Sequence, residues 1–288
     1  MDKIFLWGYS MITNLKKLLL NSKGGIASFN TVDLEMAKGC ILAAEELDRP
    51  IVMGVASRHW EILGGKIFLA SLLAMVKEAK VPIALHLDHA KPDQLDMIKE
   101  AIEGGMTSIM IDGSTLPLKE NIEITKKVIE ICHPLDISVE AELGAIIGDE
   151  GIANLVDSSK TKKYTDPKDA EFFCQETGVE ALAIAVGTAH GLYKDPPKLQ
   201  LELISEIHSV VGETFLVLHG ATGIPDEAIK ESVKRGIRKI NFFSGLLQES
   251  MNTVRLVEDG DNDYVKLRKA IRETCKNTAK EIIALYNC

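Results

Sequence analysis

Eight times along this chain of 288 residues, an apolar, strand-like run is followed by a segment with helical hydrophobic spacing. The runs are 26–29, 50–56, 82–88, 108–112, 137–143, 181–186, 215–218 and 239–243, and the helical patterns follow at 33–47, 65–80, 92–103, 118–132, 169–177, 199–211, 225–234 and 246–257. Strands that are apolar on both faces and alternate with helices pair in parallel. The simplest closed solution is an α/β fold of the (β/α)8 TIM-barrel type, with its site at the carboxyl ends of the strands. An open, doubly wound sheet is the alternative, but no Gly-x-Gly-x-x-Gly follows the first strand.

Two helices lie outside the eight units. Ile12, Leu15, Leu18 and Leu19 recur at helical spacing before the first strand, placed to cap one end of a barrel. A charged helix at about 263–285 is expected to pack on the barrel or on a second subunit. No low-complexity linker divides the chain, which predicts one domain over 1–288, with 1–10 as an N-terminal extension and Met11 as an alternative start. The interval 144–168 is rich in Gly, Asp, Ser and Lys with little periodicity. Loops of that length in compact domains tend to act as lids.

A net charge of −9 argues against nucleic acid and anionic lipid as partners, while leaving room for a local basic pocket. The five cysteines are scattered and never form Cys-x-x-Cys, the pattern of reduced thiols in a cytoplasmic protein. No apolar run reaches the roughly 18 residues of a membrane span. The first ten residues lack the apolar core and small-residue cleavage site of a secretory signal.

Candidate chemistry gathers at strand ends. The run Ile83–Ala90 reads I-A-L-H-L-D-H-A and delivers Asp88 and His89 together; His190 and His219 close similar apolar runs. Three neutral imidazoles converging on one point, with a fourth position open, suit a catalytic Zn²⁺ acting as a Lewis acid. A single strand histidine is more simply a hydrogen-bonded core residue, whereas three in matching positions favour a metal. His86, inside its strand, reads as a core residue or a support behind the site, and His133 and His208 as surface residues. Asp88 either exchanges a proton with a metal-held group or orients an imidazole. Glu140 and Glu142 alternate along strand five and share one face, so one of them points into the barrel mouth. Asp149 and Glu150 are either solvated or acids of a closing lid. The turns at 190–192, 219–223 and 241–245 precede helices, and their amides are placed to cradle a phosphate or simply to make tight turns.

The motifs L-H-L-D-H, M-I-D-G-S, V-E-A-E-L-G, Y-T-D-P, A-V-G-T-A-H-G-L-Y, V-L-H-G-A-T-G-I-P-D and K-I-N, in that order from about Met11 onward, resemble the class II, zinc-dependent ketose-bisphosphate aldolases. The resemblance implies a barrel enzyme of carbohydrate metabolism, a homodimer or homotetramer. It would split a fructose- or tagatose-bisphosphate-like ketose into dihydroxyacetone phosphate and an aldehyde. It also implies His89, His190 and His219 as zinc ligands, Asp88 as the acid–base group at the C4 hydroxyl, and Glu150 as the lid acid that moves the proton of the enediolate. Asp112 and Glu142 match acids that approach a shifted metal. Asn241, Ser244 and the segment Gly191, Gly220, Ala221 and Thr222 match substrate and phosphate contacts, with a Na⁺ or K⁺ ion nearby. Arg268 aligns with an arginine that reaches the distal phosphate from a neighbouring subunit.

Two segments depart from the family pattern. After Asn241 stand Phe242, Phe243, Ser244 and Gly245, where the family has an apolar residue, a small or acidic one, a hydroxyl and an acid. After strand two stand Ala56, Ser57, Arg58, His59 and Trp60 in place of a Ser and Gly-rich turn. Arg58 offers a planar fork for an anionic group. Ser57, Arg58, His59 and Phe243 are therefore the candidate specificity residues. They keep open a relative that transfers a dihydroxyacetone unit, while a non-catalytic barrel serving as a partner subunit is the reading from a different class.

Overall fold

The computed structural model describes residues 11–146, 148, 155–156, 164–257 and 263–288. In chain order the elements are β1 (Ile12–Thr13), α1 (Leu15–Leu20), β2 (Ile26–Asn30), α2 (Leu34–Leu47), β3 (Ile51–Ala56), α3 (Lys66–Lys77), β4 (Ile83–Ala90), α4 (Leu95–Gly104), β5 (Ser108–Ile111) and α5 (Leu118–Cys132). They continue with β6 (Ser138–Leu143), β7 (Leu155–Val156), α6 (Pro167–Thr177), β8 (Ala181–Ile184), β9 (Leu192–Tyr193), α7 (Leu201–Val210), β10 (Phe215–Leu218), α8 (Asp226–Lys234), β11 (Ile237–Asn241), α9 (Ser244–Val257) and α10 (Tyr264–Tyr286). Strands β2, β3, β4, β5, β6, β8, β10 and β11 pair in parallel with their neighbours, and β11 returns to β2. That closure makes a (β/α)8 TIM barrel, as the alternation predicts.

Strand residues alternate between two destinations. Leu85 and Leu87 of β4, with Ile109, Ile111, Val139 and Ala141, join the apolar layer between barrel and helices. Ala84, Val52, Met110, Ala181, Ala183 and Val217 face inward and form a second apolar cluster with Leu15, Leu18 and Leu19 of α1. These three leucines are 1% exposed or less, and each buried side chain contributes about 1.5–3 kcal/mol. Helix α1 therefore plugs the amino end of the barrel, with Asn14 capping it through the Lys17 amide. Ile12 departs from its predicted helical place: it pairs as a strand residue with Ile83, and the helix starts only at Leu15.

Helix α10 packs along α2 on the outside of its own barrel. Cys275, Ala279, Ile283 and Tyr286 are its buried face, and Arg268 and Arg272 both pair with Glu35 of α2. Among the described residues no helix is long and apolar enough to cross a membrane.

Above the apolar plug the barrel interior turns polar. Ser28, Asn30, His86, Asp88, Ser108, Asp112, Glu140, Glu142, His219, Lys239 and Asn241 are all buried. Branched apolar side chains normally fill this volume, so a polar upper half with charged groups marks where the barrel holds its chemistry.

Candidate active site

Strict alternation along β4 would send Asp88 into the barrel and His89 out of it. The strand avoids this with an irregularity between Leu87 and Ala90, where its register against β5 shifts. His89 takes the left-handed conformation there, with φ of 61°. For a residue with a Cβ that conformation costs on the order of 1–3 kcal/mol and collects at functional sites. Its effect is to turn two consecutive side chains, an acid and an imidazole, toward one centre.

The three predicted histidines do meet. His89, on the bulge, lies with its ring centroid 4.8 Å from that of His190 and 4.7 Å from that of His219. Their candidate ligand nitrogens all lie within 4.8 Å of one another. His219 directly follows β10, but His190 sits on the loop beyond Ile184 rather than at the strand end, because β8 stops short of the predicted 181–186 run.

Each of two rings is fixed from behind by a carboxylate. His219 Nε2 is 2.9 Å from Glu140 Oε1, and His89 Nδ1 is 3.2 Å from Asp112 Oδ2. A carboxylate only accepts, so both of those nitrogens carry the proton and donate it. When both rings are neutral, the opposite nitrogens, His219 Nδ1 and His89 Nε2, carry lone pairs that face each other at 2.9 Å. Two acceptors held that close repel unless a cation lies against them. His190 Nε2 is buried beside them without a hydrogen-bond partner among the described residues, and burial, reinforced by His89 and His219, holds its pKa well below that of an ordinary imidazole. Three buried nitrogens, two of them on carboxylate-oriented rings, form a group that could hold a metal ion.

Asp88 is fully buried beside this cluster. Asn30 Nδ2 donates to its Oδ2 at 2.7 Å, Asn241 Nδ2 donates to the same oxygen at 3.1 Å, and His86 Nε2 stands 3.3 Å from Oδ1. Burial disfavours its charge, yet His89, His86, Lys239 and His219 together outweigh burial and hold the carboxyl well below the usual range. Asp88 is thus a buried carboxylate held in place by two amides. Sequence reasoning misses Asn30, at the end of β2. The signal available is an amide closing an apolar strand.

Glu140 and Glu142 both point inward, more than the single acid expected from their alternation. Burial alone would raise the Glu140 carboxyl, but Lys239, then His219 and His86, bring it down to about 2. Glu142, 3.8 Å from His89 Nδ1, is pushed up to about 8 by burial and by Asp112 beside it. Asp112 itself is held by His89, by Lys91 at 2.5 Å and by the Ser114 hydroxyl at 2.6 Å. His86 is buried with Nδ1 2.9 Å from Ser108 Oγ, in keeping with a support behind the site. His208 and His133 are both exposed, and His133 pairs with Glu180.

The turns after β8, β10 and β11 come together. Tyr193 Oη donates to the Gly220 carbonyl at 2.7 Å and accepts from the Ala189 amide at 2.7 Å, joining the loops that carry His190 and His219. Gly191, Gly220, Ala221, Thr222, Asn241 and Ser244 line one small depression next to His190. Thr222 Oγ accepts from the Gly245 amide at 3.1 Å. Gly245 has a packing reason, since a Cβ there would overlap the Phe242 ring.

The two departing segments also touch. His59 and Phe243 meet edge to face with centroids 5.7 Å apart, and Ser57 Oγ donates to the His89 carbonyl at 2.6 Å. Arg58 borders a cavity of about 410 Å³ shared with His89, His190, Lys91, Asp112 and Glu142. A larger cavity, about 660 Å³, lies elsewhere, bordered by Glu180, Thr214, Phe215 and Arg238. Volume alone would choose it, but none of the three clustered histidines and neither Asp88 nor Asp112 borders it. Arg268 is engaged with Glu35 in its own chain, and Asp149 and Glu150 lie outside the described residues.

Residues 13–288 match the family model described as fructose-bisphosphate aldolase class-II. The fructose-bisphosphate aldolase of Staphylococcus epidermidis is 34% identical, covering 94% of this chain and 96% of that protein. The 6-phospho-5-dehydro-2-deoxy-D-gluconate aldolase of Halalkalibacterium halodurans is 36% identical over the same shares. The crystal structure of the YdjI aldolase from Escherichia coli K12 superposes with a TM-score of 0.85 at 33% identity, covering 96% of this chain and 97% of that one.

Proposed function

The chain belongs to the class-II fructose-bisphosphate aldolase family, and from that premise we propose that it is a zinc-dependent lyase. Its substrate is a phosphorylated ketose, cleaved reversibly to dihydroxyacetone phosphate and an aldehyde. The observation that carries this reading is the convergence of His89, His190 and His219 beside a buried, amide-clamped Asp88. His89, His190 and His219 would hold the zinc, which would supply Lewis acidity toward a ketose carbonyl.

The chain's own groups do the rest. Asp88 takes the proton of the C4 hydroxyl during cleavage and returns it to the aldehyde oxygen during condensation. Asn30 and Asn241 keep its Oδ2 in place for that transfer. Glu150 handles the carbon-bound proton. The backbone around Gly191, Gly220, Ala221 and Thr222, with the Ser244 end of α9, holds the first phosphate, assisted by Na⁺ or K⁺. Ser57, Arg58, His59 and Phe243 meet the aldehyde end and discriminate among acceptors. Asp112 orients His89, and Asp112 and Glu142 are the acids that would hold the metal with His89 if it shifted.

The test offers dihydroxyacetone phosphate with a panel of aldehydes, with and without a chelator, and identifies the products. Chelator-sensitive formation of ketose 1-phosphates is expected, and condensation indifferent to the chelator would refute the metal assignment. The His59–Phe243 contact, absent from the family pattern, favours a second reading in which the acceptor differs from glyceraldehyde 3-phosphate or a dihydroxyacetone unit is transferred between sugars. A product set restricted to fructose or tagatose 1,6-bisphosphate would remove it.

A further inference from the structure

Lys239 is among the largest fully buried side chains of the molecule, with 0% exposure. A buried ammonium is costly unless a charge and hydrogen bonds compensate it. Here Lys239 Nζ stands 2.8 Å from Glu140 Oε2 and 3.1 Å from Glu140 Oε1. The same Oε1 accepts from His219 Nε2 at 2.9 Å, so lysine, glutamate and imidazole form one chain from β11 across to β6 and on to the loop after β10. Among the described residues, Lys239 is the one group of fixed positive charge paired with Glu140, whose other ionisable partners are His219 at 2.9 Å and His86 at 3.7 Å.

We propose that Lys239 is a positioning residue for the metal centre: it anchors the Glu140 carboxylate where that group accepts the His219 Nε2 proton, leaving Nδ1 turned toward the metal. The role rests on the metal-centre reading above and goes beyond it, because Lys239 acts on the ligand set only through Glu140. Without the ammonium, Glu140 has lost its contact on β11 and is free to turn toward His86, 3.7 Å away. His219 then loses the acceptor that fixes its tautomer and ring angle. Carboxylates behind metal-bound histidines act in this way, and removing such support typically weakens metal binding about 10- to 100-fold.

The experiment measures the Zn²⁺ dissociation constant of the full chain by competition with a chromophoric chelator. It compares wild type, His219→Ala, Lys239→Met, Glu140→Gln and the double variant Lys239→Met/Glu140→Gln. Lys239→Met is expected to bind Zn²⁺ about 10- to 100-fold more weakly than wild type. The side chain introduced by Glu140→Gln is neutral and still accepts through its carbonyl, so the lysine has no charge left to anchor. On that background Lys239→Met should cost less than about twofold. Binding by Lys239→Met within twofold of wild type, or an equal loss on both backgrounds, would overturn the proposal. If Lys239→Met does not fold, Glu140→Gln and the double variant decide between them: equal affinities support the relay, and a tenfold further loss in the double variant overturns it. His219→Ala separates the two levels. Should it bind Zn²⁺ as wild type does, the metal-centre reading fails; should it lose Zn²⁺ while Lys239→Met keeps it, only the role of Lys239 fails.

Discussion

Gly54 gives the sharpest test of how the Asp88 carboxylate is held. It lies in the middle of β3, paired with Asn30 on one side and His86 on the other, and its backbone is one that alanine adopts freely. The obstacle is a side chain, because a Cβ at 54 would overlap Asn30 Oδ1. Asn30 is the flexible partner, so in Gly54→Ala its amide must swing and release Asp88 Oδ2, to which it donates at 2.7 Å. A hydrogen bond to a charged group contributes about 1.5–3 kcal/mol. Expressed in the transition state, that loss is roughly ten- to one-hundred-fold in rate. Stability should fall by only about 1 kcal/mol, since a side-chain end moves and no backbone is displaced. The assay pairs cleavage kinetics with urea denaturation, run on Gly54→Ala, Asn30→Ala and the double variant. Asn30→Ala removes the obstruction, so adding Gly54→Ala to it should be silent in both measurements. Wild-type turnover in Gly54→Ala would refute the clamp, as would an equal loss of rate from Gly54→Ala whether or not Asn30 is present.

Asp88→Asn keeps the shape but cannot accept a proton, so cleavage should fall by about 10²–10⁴-fold while metal content, read by elemental analysis, stays at the wild-type value. A loss smaller than tenfold would remove the base role. Tyr193→Phe deletes the hydroxyl that ties Ala189 to Gly220, with an expected loss of about 1–3 kcal/mol in denaturant titration; unchanged stability would show that the two loops hold each other without it. Thiol labelling at pH 8 should modify Cys288 first, since it is exposed. Burial raises the other four thiols, Cys132 to about 12, Cys174 and Cys275 to about 11, and Cys40 well above its ordinary value. They stay protonated at that pH and should react only on unfolding, as mass spectrometry of labelled peptides would reveal.

The buried upper half of the barrel explains why a site of this kind tolerates so many charges. Asp88, Glu140 and Asp112 would repel one another in a low-dielectric interior, and Glu142 avoids adding a fourth charge because burial and Asp112 push it up to about 8. Lys239 and the imidazoles supply the compensation, and every carboxylate named has a cationic or imidazole neighbour within 3.8 Å. That arrangement leaves Asp88 ionised next to the three clustered histidines.

The eightfold alternation of apolar runs and helical spacing was sufficient for the barrel, because parallel strands buried on both faces leave few other closures. It also placed α5 and β10 at their observed bounds, and it placed His219 and the Asp88–His89 pair at carboxyl ends, where barrels carry chemistry. The pairing of Asp88 with His89 was legible as adjacent residues at a strand end, but not how both reach one centre, since alternation sends them to opposite faces and only the bulge at His89, with its positive φ, brings them together. Nor were Asn30, Lys239 and the inward turn of both Glu140 and Glu142 legible. Periodicity says that a residue faces the barrel interior, but not which groups from three or four distant strands it meets there. Closure of the sheet decided those partners: β2, β4, β6 and β11 lie far apart in the chain, and the barrel brings their ends to one axis.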